Sequence, residues 1–505
     1  MSRIEPSFEA FARGYEAGEN QVVYTRLAAD LDTPVSLMLK LAGAREDSFV
    51  LESVTGGEVR GRYSIVGLKP DLIWQCDGDK ARINRQARFD PQAWEAESAA
   101  PLDSLRSLLA ESRITLPAGL PAAAAGLFGY LGYDMIRLVE HLPNVNPDPL
   151  GLPDAVMMRP TMVAVLDGVK GEVTLVSPAY VQSGLSARAA YAQAAERVMD
   201  ALRDLDRGLS GESRTLESTN EAPTAPVSNF TKEGYKSVVE KAKAYIRAGD
   251  IFQVVPSQRW AQPFTLPPFS LYRSLRRTNP SPFMFFFNFS GFQVIGASPE
   301  ILVRLREGEV TIRPIAGTRP RGANEEEDRA LEAELLSDEK ELAEHLMLLD
   351  LGRNDVGRVA KIGTVHPTEE FNVELYSHVM HIVSNVVGEI KPGEDALSAL
   401  LAGLPAGTVS GAPKVRAMEI IDELEPEKRG VYGGGVGYFS AAGDMDMCIA
   451  LRTSVLKDET LYVQAGGGVV HDSDPEAEWQ ETVNKSKAIK AAAEDAGHFV
   501  MKGNG

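Results

Sequence analysis

Closely spaced β-hairpins limit the folds that this chain can adopt more than any other feature of its sequence. Residues 283–298, FMFFFNFSGFQVIGAS, are rich in aromatic and β-branched residues on both sides of Ser290-Gly291. Two such runs joined by a short turn that contains glycine are typical of an antiparallel hairpin. The sequence predicts two more hairpins, in residues 162–177 and 301–317. Much of the chain is therefore expected to pair with its own neighbouring segments.

Helices are predicted between these hairpins, where apolar residues recur every three or four positions. Runs of strands that alternate with runs of helices, without a regular βαβ repeat, favour an α+β fold with a mostly antiparallel sheet. Short strands are also predicted at 48–54, 62–67, 71–76, 376–387 and 447–456. The predicted helices cover residues 7–18, 102–114, 185–206, 231–248 and 323–351, with two more that open at Thr33 and at Ser473.

The composition of the chain changes in residues 208–229. This stretch is rich in Ser, Thr, Pro, Gly and Glu and has no apolar periodicity, so we expect a linker or a long surface loop there. It either divides an N-terminal portion, residues 1–207, from a C-terminal portion, residues 230–505, or interrupts a single domain.

Charge and composition exclude several classes of protein. A net charge of -19 argues against broad binding of nucleic acid and of anionic membrane surfaces, although it does not exclude a small anionic substrate. The N-terminal residues contain no apolar core, and no apolar run approaches the roughly 18 residues of a membrane span. Cys76 and Cys448 are the only cysteines and do not have the spacing of metal ligands. The sequence therefore predicts a cytoplasmic protein without a disulfide framework.

Two predicted helices each carry a pair of glutamates spaced three residues apart. The first runs from Asp338 to Val356, and its apolar stripe is predicted at Leu342, Leu346 and Leu349. Glu341 and Glu344 share another face of this helix. The second helix is predicted to start with a capping box formed by Ser473 and Glu476, and it carries Glu478 and Glu481.

Four carboxylates would crowd together if these two glutamate faces met. Like charges about 4 Å apart repel by roughly 4 kcal/mol at an effective dielectric constant near 20, so a cation or a proton would be required between them. A set of oxygen ligands suits Mg²⁺, which usually takes one or two carboxylates, water and a substrate anion. Two solvated helix faces would satisfy the same spacing.

Other short motifs could bind an anion or carry a proton. The glycine runs 433–435 and 466–468 could bring backbone N–H groups close to an anion, or form ordinary bulges and turns. The segment PIAGTRPRG, residues 314–322, offers Thr and Arg donors, or is a solvated basic turn. Arg452 is predicted on an apolar strand, where a buried guanidinium needs an anion. His381 lies in another apolar strand and is either a structural histidine or a catalytic one.

Several common reaction centres are missing from the sequence. It contains neither G-x-S-x-G nor G-x-x-x-x-G-K-[ST]. A hydrolase nucleophile and a nucleotide phosphate loop are therefore not indicated.

Taken together, these segments resemble one family, the chorismate-utilising enzymes, and within it the anthranilate synthase component I branch. The resemblance extends over nearly the whole chain. It implies antiparallel sheets packed in the middle of the molecule with helices outside. The motifs that carry it are VLESV, GRYSIVG, NPSPFMFF, IGASPE, RPIAGTRPRG, DEKELAEHLMLLDLGRND, YSHVMHIVS, LPAGTVSGAPK, YGGGVGY, ALRT and QAGGGVVHDSDPEAEWQET.

The resemblance implies a Mg²⁺-dependent reaction in which ammonia adds to C2 of chorismate and pyruvate then leaves, giving anthranilate in the first step of tryptophan biosynthesis. Glu344 and Glu481 would hold the metal. Glu300 would be the general acid at the C4 hydroxyl, and His381 would assist the release of pyruvate. Glu341 is counted with the catalytic groups. The implied substrate-binding residues are Gly317, Thr318, Tyr432, Arg452, Gly466, Gly467, Gly468 and Lys485.

Two positions separate the branches of the family. Isochorismate and salicylate synthases carry a water-activating Lys where this chain has Gln253, which favours ammonia as the nucleophile. Aminodeoxychorismate synthases carry a nucleophilic Lys at the position of Ala316. An enzyme that stops at 4-amino-4-deoxychorismate is the main alternative to anthranilate formation, and a catalytically silent regulatory subunit is a third hypothesis.

The family pattern also implies partners. A separate glutamine amidotransferase subunit, component II, would supply ammonia, so a hetero-oligomer is expected. L-Tryptophan would inhibit by binding in the N-terminal part of the chain, although Phe283 stands where many relatives have Tyr and one polar contact would be missing. The residues that match this regulatory site are Glu52, Ser53, Pro282, Phe283 and Met284.

Overall fold

The computed structural model describes residues 4–52, 62–209, 225–376 and 379–500. The helices that the sequence predicts begin within two residues of the predicted positions, and side-chain caps fix the first turns of most of them, whereas α6 and α9 were not predicted. Thr33 and Ser36 form a reciprocal capping box at the start of α2. The α-helices are α1 (Phe8–Glu16), α2 (Pro34–Leu41), α3 (Pro101–Glu111), α4 (Ala187–Asp206), α5 (Lys232–Ala248), α6 (Pro268–Thr278), α7 (Glu325–Ser337), α8 (Glu339–Val359), α9 (Ala396–Gly403), α10 (Lys414–Leu424) and α11 (Pro475–Asp495).

The strands pair antiparallel and form one 21-stranded sheet and a separate two-stranded ribbon. The ribbon consists of β10 and β19. In chain order the strands are β1 (Gln21–Ala28), β2 (Ser48–Glu52), β3 (Tyr63–Asp77), β4 (Lys80–Asn84), β5 (Trp94–Ala96), β6 (Gly126–Leu131), β7 (Ala155–Asp167), β8 (Glu172–Ala179), β9 (Val227–Ser228), β10 (Gln253–Val254), β11 (Ser257–Pro263), β12 (Phe283–Phe289), β13 (Phe292–Ser298), β14 (Ile301–Arg306), β15 (Glu309–Ile312), β16 (Ile315–Pro320), β17 (His366–Leu375), β18 (Val379–Glu389), β19 (Gly411–Ala412), β20 (Gly435–Ser440), β21 (Met445–Ile449), β22 (Thr453–Lys457) and β23 (Thr460–Gly466).

Strands from both sides of the predicted linker belong to the same sheet. Strand β2 pairs with β12, and β6 pairs with β20. Most of the predicted linker, residues 210–224, lies outside the described residues.

The sheet is in the middle of the molecule and helices cover it. Helix α4 packs on β1 and β8, α8 packs on β16 and β18, and α11 packs on β23 and on two other helices. Stacked aromatic rings such as Phe49, Phe128 and Phe287 pack between strands of the sheet itself. The predicted α+β fold with a mostly antiparallel sheet is confirmed.

Two strand predictions are wrong in detail. The segments 62–67 and 71–76 form the single strand β3, because β7 pairs along both of them with one irregularity at Pro70–Leu72. The segment 447–456 forms two strands, β21 and β22, which pair with different neighbours. Arg452 lies in the break between them with a φ of 47°, so it does not lie on a strand as predicted.

The glutamate-bearing helices form, but their local details differ from the prediction. Asp338 caps α8 by accepting hydrogen bonds from the N–H groups of Lys340 and Glu341. Leu346 is 46% exposed, whereas His345 is fully buried, so the buried stripe is displaced from the predicted one. The predicted capping box of α11 is wrong, because Asp474 caps this helix and accepts from the N–H of Ala477.

No helix in the described ranges is long and apolar enough to cross a membrane.

The packing of the aromatic layer leads to a stability prediction. Phe49 of β2 stacks on Phe128 of β6 at 4.6 Å and on Phe287 of β12 at 5.3 Å between ring centroids, so it joins strands that are distant in sequence. We expect Phe49→Ala to lower the free energy of unfolding by about 3–5 kcal/mol, through lost burial and a residual cavity. Chemical denaturation would measure this change. Phe89→Ala, at a ring that is 82% exposed, is the matched control and should leave stability almost unchanged.

Candidate active site

The glutamate faces of α8 and α11 come together beside the end of β23. Burial, together with repulsion from Glu341 and Glu481, raises the pKa of Glu344. Burial and the charge of Glu481 likewise raise the pKa of Glu478. The charge of Glu481 on α11 therefore acts on Glu344 of α8, so the two glutamate faces lie near one another.

The groups around these carboxylates partly compensate their charge. Lys485 Nζ lies 2.7 Å from Glu481 Oε1 and donates a 3.0 Å hydrogen bond to the carbonyl of Gly466. Gln253 Nε2 donates a 3.2 Å hydrogen bond to Glu344 Oε1. Arg319 forms an ion pair with Glu341 at 3.1 Å. Glu344 therefore has a neutral hydrogen-bond donor as its neighbour and forms no ion pair among the described residues, although the more distant charge of Lys340 acts to lower its pKa.

The donor set fits a magnesium ion held by two carboxylates. The described residues contain no cluster of three or more His, Cys, Asp and Glu side chains that could hold a metal ion. Mg²⁺ does not need such a cluster, because it commonly uses one or two carboxylates and completes its octahedron with water and substrate oxygens. One carboxylate oxygen of Glu478 is buried without a hydrogen-bond partner among the described residues, so a cation beside this oxygen would be favourable. Glycine at position 467 leaves room for the Glu478 side chain, since a Cβ there would lie 3.3 Å from that oxygen.

Both arginines of PIAGTRPRG form ion pairs with carboxylates of the protein. Arg319 contacts the carboxylates of Glu334, Asp338 and Glu341. Arg321 forms a bidentate pair with Asp328. Neither guanidinium is therefore available to clamp a substrate carboxylate, which was one of the two possibilities that the sequence left open.

His381 is held in one orientation by the bulge at Gly317. Its Nδ1 lies 3.0 Å from the carbonyl oxygen of Gly317 and 3.0 Å from the hydroxyl of Thr318. A carbonyl can only accept, so Nδ1 carries the proton and Nε2 of the neutral ring is left as a base. Burial, and to a smaller extent the charge of Arg452, lower the pKa of His381, while the Gly317 hydrogen bond raises it. Gly317 has a φ of 68°, which favours glycine at this bulge.

Arg452 is an unneutralised cation beside His381. Its guanidinium has no carboxylate partner in the part of the chain that the structure describes. Burial lowers its pKa, and Tyr376 acts in the opposite direction. A partly buried guanidinium without a carboxylate partner among the described residues is a candidate position for an anionic ligand.

Tyr432 and the glycine run close another side of the site. The Tyr432 hydroxyl hydrogen-bonds the backbone of Gly466, and burial raises the pKa of Tyr432 to about 12. A Cβ on Gly468 would lie 2.7 Å from Gln253 Nε2, so a larger residue here would displace the end of that side chain from its present position. The run is thus more than a turn, because each of its glycines faces a polar group of the site.

Glu300 has the environment of a carboxylic acid that stays protonated. It is only 6% exposed. Burial raises its pKa to about 8, although hydrogen bonds from the Thr408 hydroxyl and the Ile315 N–H act in the opposite direction. The Thr408 hydroxyl lies 3.2 Å from Glu300 Oε2. The sequence analysis missed Thr408, which could have been suspected as a polar residue in the Gly/Pro loop LPAGTVSG.

Comparison with known proteins identifies the family. A family model described as chorismate binding enzyme matches residues 59–491. The chain is 78% identical over 500 residues to an anthranilate synthase component 1 of Cereibacter sphaeroides, covering 99% of this chain and 100% of the relative. The chain belongs to the chorismate-binding enzymes.

Further members of this family support the closer relationship. An anthranilate synthase component 1 of Pseudomonas putida is 49% identical, covering 95% of this chain and 97% of the relative. The crystal structure of anthranilate synthase component I from Streptococcus pneumoniae matches with a TM-score of 0.74 at 39% identity, covering 86% of this chain and 94% of that chain. Within the chorismate-binding enzymes the chain is an enzyme of the anthranilate synthase component 1 group.

The residues predicted for tryptophan regulation lie around a second space. Glu52, Pro282, Phe283 and Met284 line a cavity of about 760 Å³. Ser53 lies outside the described residues. One oxygen of Glu52 accepts hydrogen bonds from Tyr272 and, at 2.6 Å, from Arg276, which the sequence analysis missed. The other oxygen, Oε2, is buried with no partner among the described residues. A buried unpaired carboxylate oxygen is a position where a ligand donor would be favourable.

The environment of Glu300 leads to a prediction about stability. Its usual pKa is 4.5 and its folded pKa is about 8. Between these values the unfolded chain loses the proton while the folded chain keeps it, so the parent protein loses stability as pH rises, by roughly 1.4 kcal/mol per unit. Glu300→Gln has no such titration. Its advantage in free energy of unfolding should therefore grow from about pH 5 to pH 8 and stay level above that.

Glu476→Gln is the control for this experiment. Hydrogen bonds with Lys232 and charges of that lysine and Lys236 lower the pKa of Glu476. Its contribution is therefore lost only as the pH falls below about 4.5. A constant difference between Glu300→Gln and the parent protein across pH 5 to 8 would contradict the protonated state of Glu300.

Proposed function

We propose that this chain converts chorismate and ammonia to anthranilate, pyruvate and water as the large subunit of an anthranilate synthase. The observation that carries the proposal is a buried carboxyl, Glu300, and a partly buried imidazole, His381, whose pKa values are shifted in opposite directions. Glu300 keeps its proton at neutral pH, whereas burial favours the neutral imidazole of His381. Groups whose environments push their pKa values apart in this way can act as acid and base in one reaction. The likeness to anthranilate synthase components 1 supports a place in tryptophan biosynthesis.

Glu300 serves the first chemical stage. Ammonia adds at C2 of chorismate, both ring double bonds shift by one position, and the bond from C4 to its hydroxyl breaks, while the new ammonium group loses one proton to become the amine. Hydroxide leaves poorly unless it is protonated, so Glu300 gives its proton to that oxygen and water departs. Hydrogen bonds from Thr408 and the backbone of Ile315 then stabilise the Glu300 carboxylate.

His381 serves the second stage. Its free Nε2 accepts the proton from C2 while the bond between C3 and the ether oxygen breaks, so that the ring becomes aromatic and the enolpyruvyl group leaves as pyruvate. The Nδ1–H bond to Gly317 holds the ring for this transfer. Burial and the positive charge of Arg452 disfavour the protonated imidazole, so His381 is neutral before the reaction begins.

The binding groups are arranged for a dianionic substrate. Glu344 and Glu481 would hold Mg²⁺, which when bound supplies a cation for the ring carboxylate of chorismate. Arg452, Tyr432 and the backbone of Gly466 to Gly468 would receive the enolpyruvyl carboxylate, with Gly317 and Thr318 nearby. Lys485 limits the negative charge of Glu481 through its 2.7 Å ion pair.

The side chains beside the proposed metal site favour ammonia as the nucleophile. Gln253 Oε1 is buried without a hydrogen-bond partner among the described residues, and a neutral amide can accept from ammonia but cannot deprotonate water. Ala316 has no nucleophile, which disfavours the 4-amino-4-deoxychorismate alternative. We infer that ammonia comes from a separate glutamine amidotransferase subunit in the cytoplasm, since the relatives are named as component 1.

Feedback inhibition by L-tryptophan is the regulatory part of the proposal. The ammonium group of an amino acid would supply donors for the unpaired Oε2 of Glu52, and Phe283 and Met284 offer an apolar wall for an indole ring. The volume of about 760 Å³ is ample for one such molecule.

A fluorescence assay for anthranilate tests the catalytic proposal. With chorismate, high ammonium and Mg²⁺, the protein alone should form anthranilate and pyruvate, and a chelator should abolish the reaction. We expect Glu344→Gln and Glu481→Gln to lower turnover by about 100-fold or more, since each removes charge that holds the metal. Glu476→Gln on the same helix, whose partners are Lys232 and Lys236, should keep the parent rate.

Three outcomes would contradict parts of this assignment. Full activity of Glu481→Gln would contradict the metal site. Accumulation of an aminated chorismate without pyruvate would favour the aminodeoxychorismate alternative. Absence of any turnover, with or without an amidotransferase subunit and glutamine, would contradict the catalytic proposal.

A titration with L-tryptophan tests the regulatory proposal. Loss of the ring in Phe283→Ala should weaken inhibition about fivefold, since an aromatic contact contributes roughly 1 kcal/mol. Phe283→Tyr should strengthen inhibition by restoring a polar contact that many relatives have. The uninhibited rate should change little in both variants, and Phe89→Ala should behave like the parent protein. Equal inhibition of all four proteins would place tryptophan elsewhere.

A further inference from the structure

Arg429 lies behind the active site and is almost completely buried. Its side chain is 2% exposed and pairs with Glu425, whose side chain is 3% exposed. Nη2 lies 2.6 Å from Glu425 Oε1, and Nε lies 3.0 Å from Oε2, so the pair is bidentate. Glu425 Oε1 also accepts from the N–H and the hydroxyl of Ser257, at 2.7 and 2.8 Å. The charges are therefore fully compensated within the protein.

The same guanidinium reaches two backbone carbonyls on different segments. Nη1 donates to the carbonyl of Val409 at 2.5 Å, and Nη2 donates to the carbonyl of Val255 at 2.7 Å. Val409 follows Thr408, whose hydroxyl contacts the acid Glu300. Val255 lies two residues after Gln253, and the two segments are joined by the Val255 N–H to Ser410 carbonyl bond at 2.9 Å. Arg429 thus holds together the two loops that carry these polar groups.

A third contact of Arg429 is with the aromatic wall of the site. Its guanidinium carbon lies 5.5 Å from the centroid of the Tyr432 ring and 4.7 Å from that of Tyr133. Tyr432 in turn hydrogen-bonds the backbone of Gly466. Gly466 pairs with Ser257, and the Gly467 N–H donates to the carbonyl of Pro256. The anion-binding glycine run is therefore attached to the same network.

A gain in the free energy of unfolding is not a sufficient explanation for burying the Arg429–Glu425 pair. Desolvation of two buried charges commonly offsets most of their attraction, so a buried ion pair is weak evidence of stabilisation. A planar guanidinium has five donors in fixed directions and can hold a carboxylate and two carbonyls together, whereas an ammonium group cannot reproduce that geometry.

We propose that Arg429 is a positioning residue. Its rigid guanidinium fixes Thr408, which contacts the general acid Glu300, and fixes Tyr432 against Gly466, where the substrate anion would bind. This inference rests on the proposed function for the roles of Glu300 and Tyr432. Arg429 contacts neither the Glu300 carboxyl nor the Tyr432 hydroxyl directly. It acts through the backbone carbonyls of Val409 and Val255 and through the ring of Tyr432.

Arg429→Lys tests the inference, with Arg159→Lys as the matched control. Arg159 is likewise buried, pairs bidentately with Asp71, and lies 3.9 Å from the centroid of an aromatic ring, that of Tyr180. None of its partners belongs to the active site. Both variants should lose stability to a similar extent in chemical denaturation, since both replace a guanidinium fork in a buried pair.

Only Arg429→Lys should change catalysis. We expect kcat to fall at least tenfold and KM for chorismate to rise several-fold, while Arg159→Lys stays within twofold of the parent protein. The alkaline limb of the pH profile should move to higher pH in Arg429→Lys, because the Thr408 hydrogen bond that favours the Glu300 carboxylate is loosened. A purely structural residue would lower the amount of active protein without moving that limb.

A second variant keeps the test decisive if Arg429→Lys does not fold. Glu425→Gln retains the shape and an acceptor oxygen but removes the charge that orients the guanidinium. It should move the alkaline limb in the same direction with a smaller loss of kcat. Unchanged kcat, KM and pH limb in the folded variants would overturn the positioning role. An inactive parent protein would instead contradict the proposed function, so the two failures can be told apart.

Discussion

Repulsion between carboxylates is the constraint on which the arrangement of this active site depends. Helices α8 and α11 bring Glu481 close enough to Glu344 for its charge to raise the pKa of Glu344, in addition to the larger effect of burial. Such crowding is unfavourable unless positive charge or protons are supplied. Lys485 reduces the charge of Glu481 on one side, and Arg319 takes up Glu341 on the other. Between them Glu344 forms no ion pair among the described residues, and this is the position at which we propose that a divalent ion binds.

Burial then separates the properties of groups that would be ordinary in water. Glu300 is shielded from solvent with only hydrogen bonds to favour its charged form, so it stays protonated to about pH 8. His381 is also shielded, but its Nδ1–H is fixed on Gly317, so the same effect makes it a neutral base. One physical effect, desolvation of the charged form, thus raises the pKa of the carboxyl and lowers the pKa of the imidazole, as the proposed acid and base roles require. Rigid surroundings maintain this difference, and the network of Arg429 belongs to those surroundings.

Local features of the fold were predictable where neighbouring residues decide them. The β12–β13 hairpin is set by its aromatic strands and glycine turn, and the capping box at Thr33 fixes the start of α2. Predictions failed where distant partners decide. β3 remains one strand through Pro70 because β7 pairs along it, and the chain breaks at Arg452 because β21 and β22 pair with different strands. Leu346 is exposed although it fits the helical period, because α8 turns His345 and Leu349 towards the sheet.

By itself the sequence determined the fold class, the two glutamate pairs and the motifs that the family shares, because these depend on residue type and spacing. Only the tertiary structure decided which charges meet. It assigned Arg319 and Arg321 to the protein's own carboxylates, left Arg452 without one among the described residues, and placed Thr408 against Glu300. Distances between segments far apart in the chain, and the solvent excluded between them, determine pKa values and pairing. No pattern within a single segment contains that information.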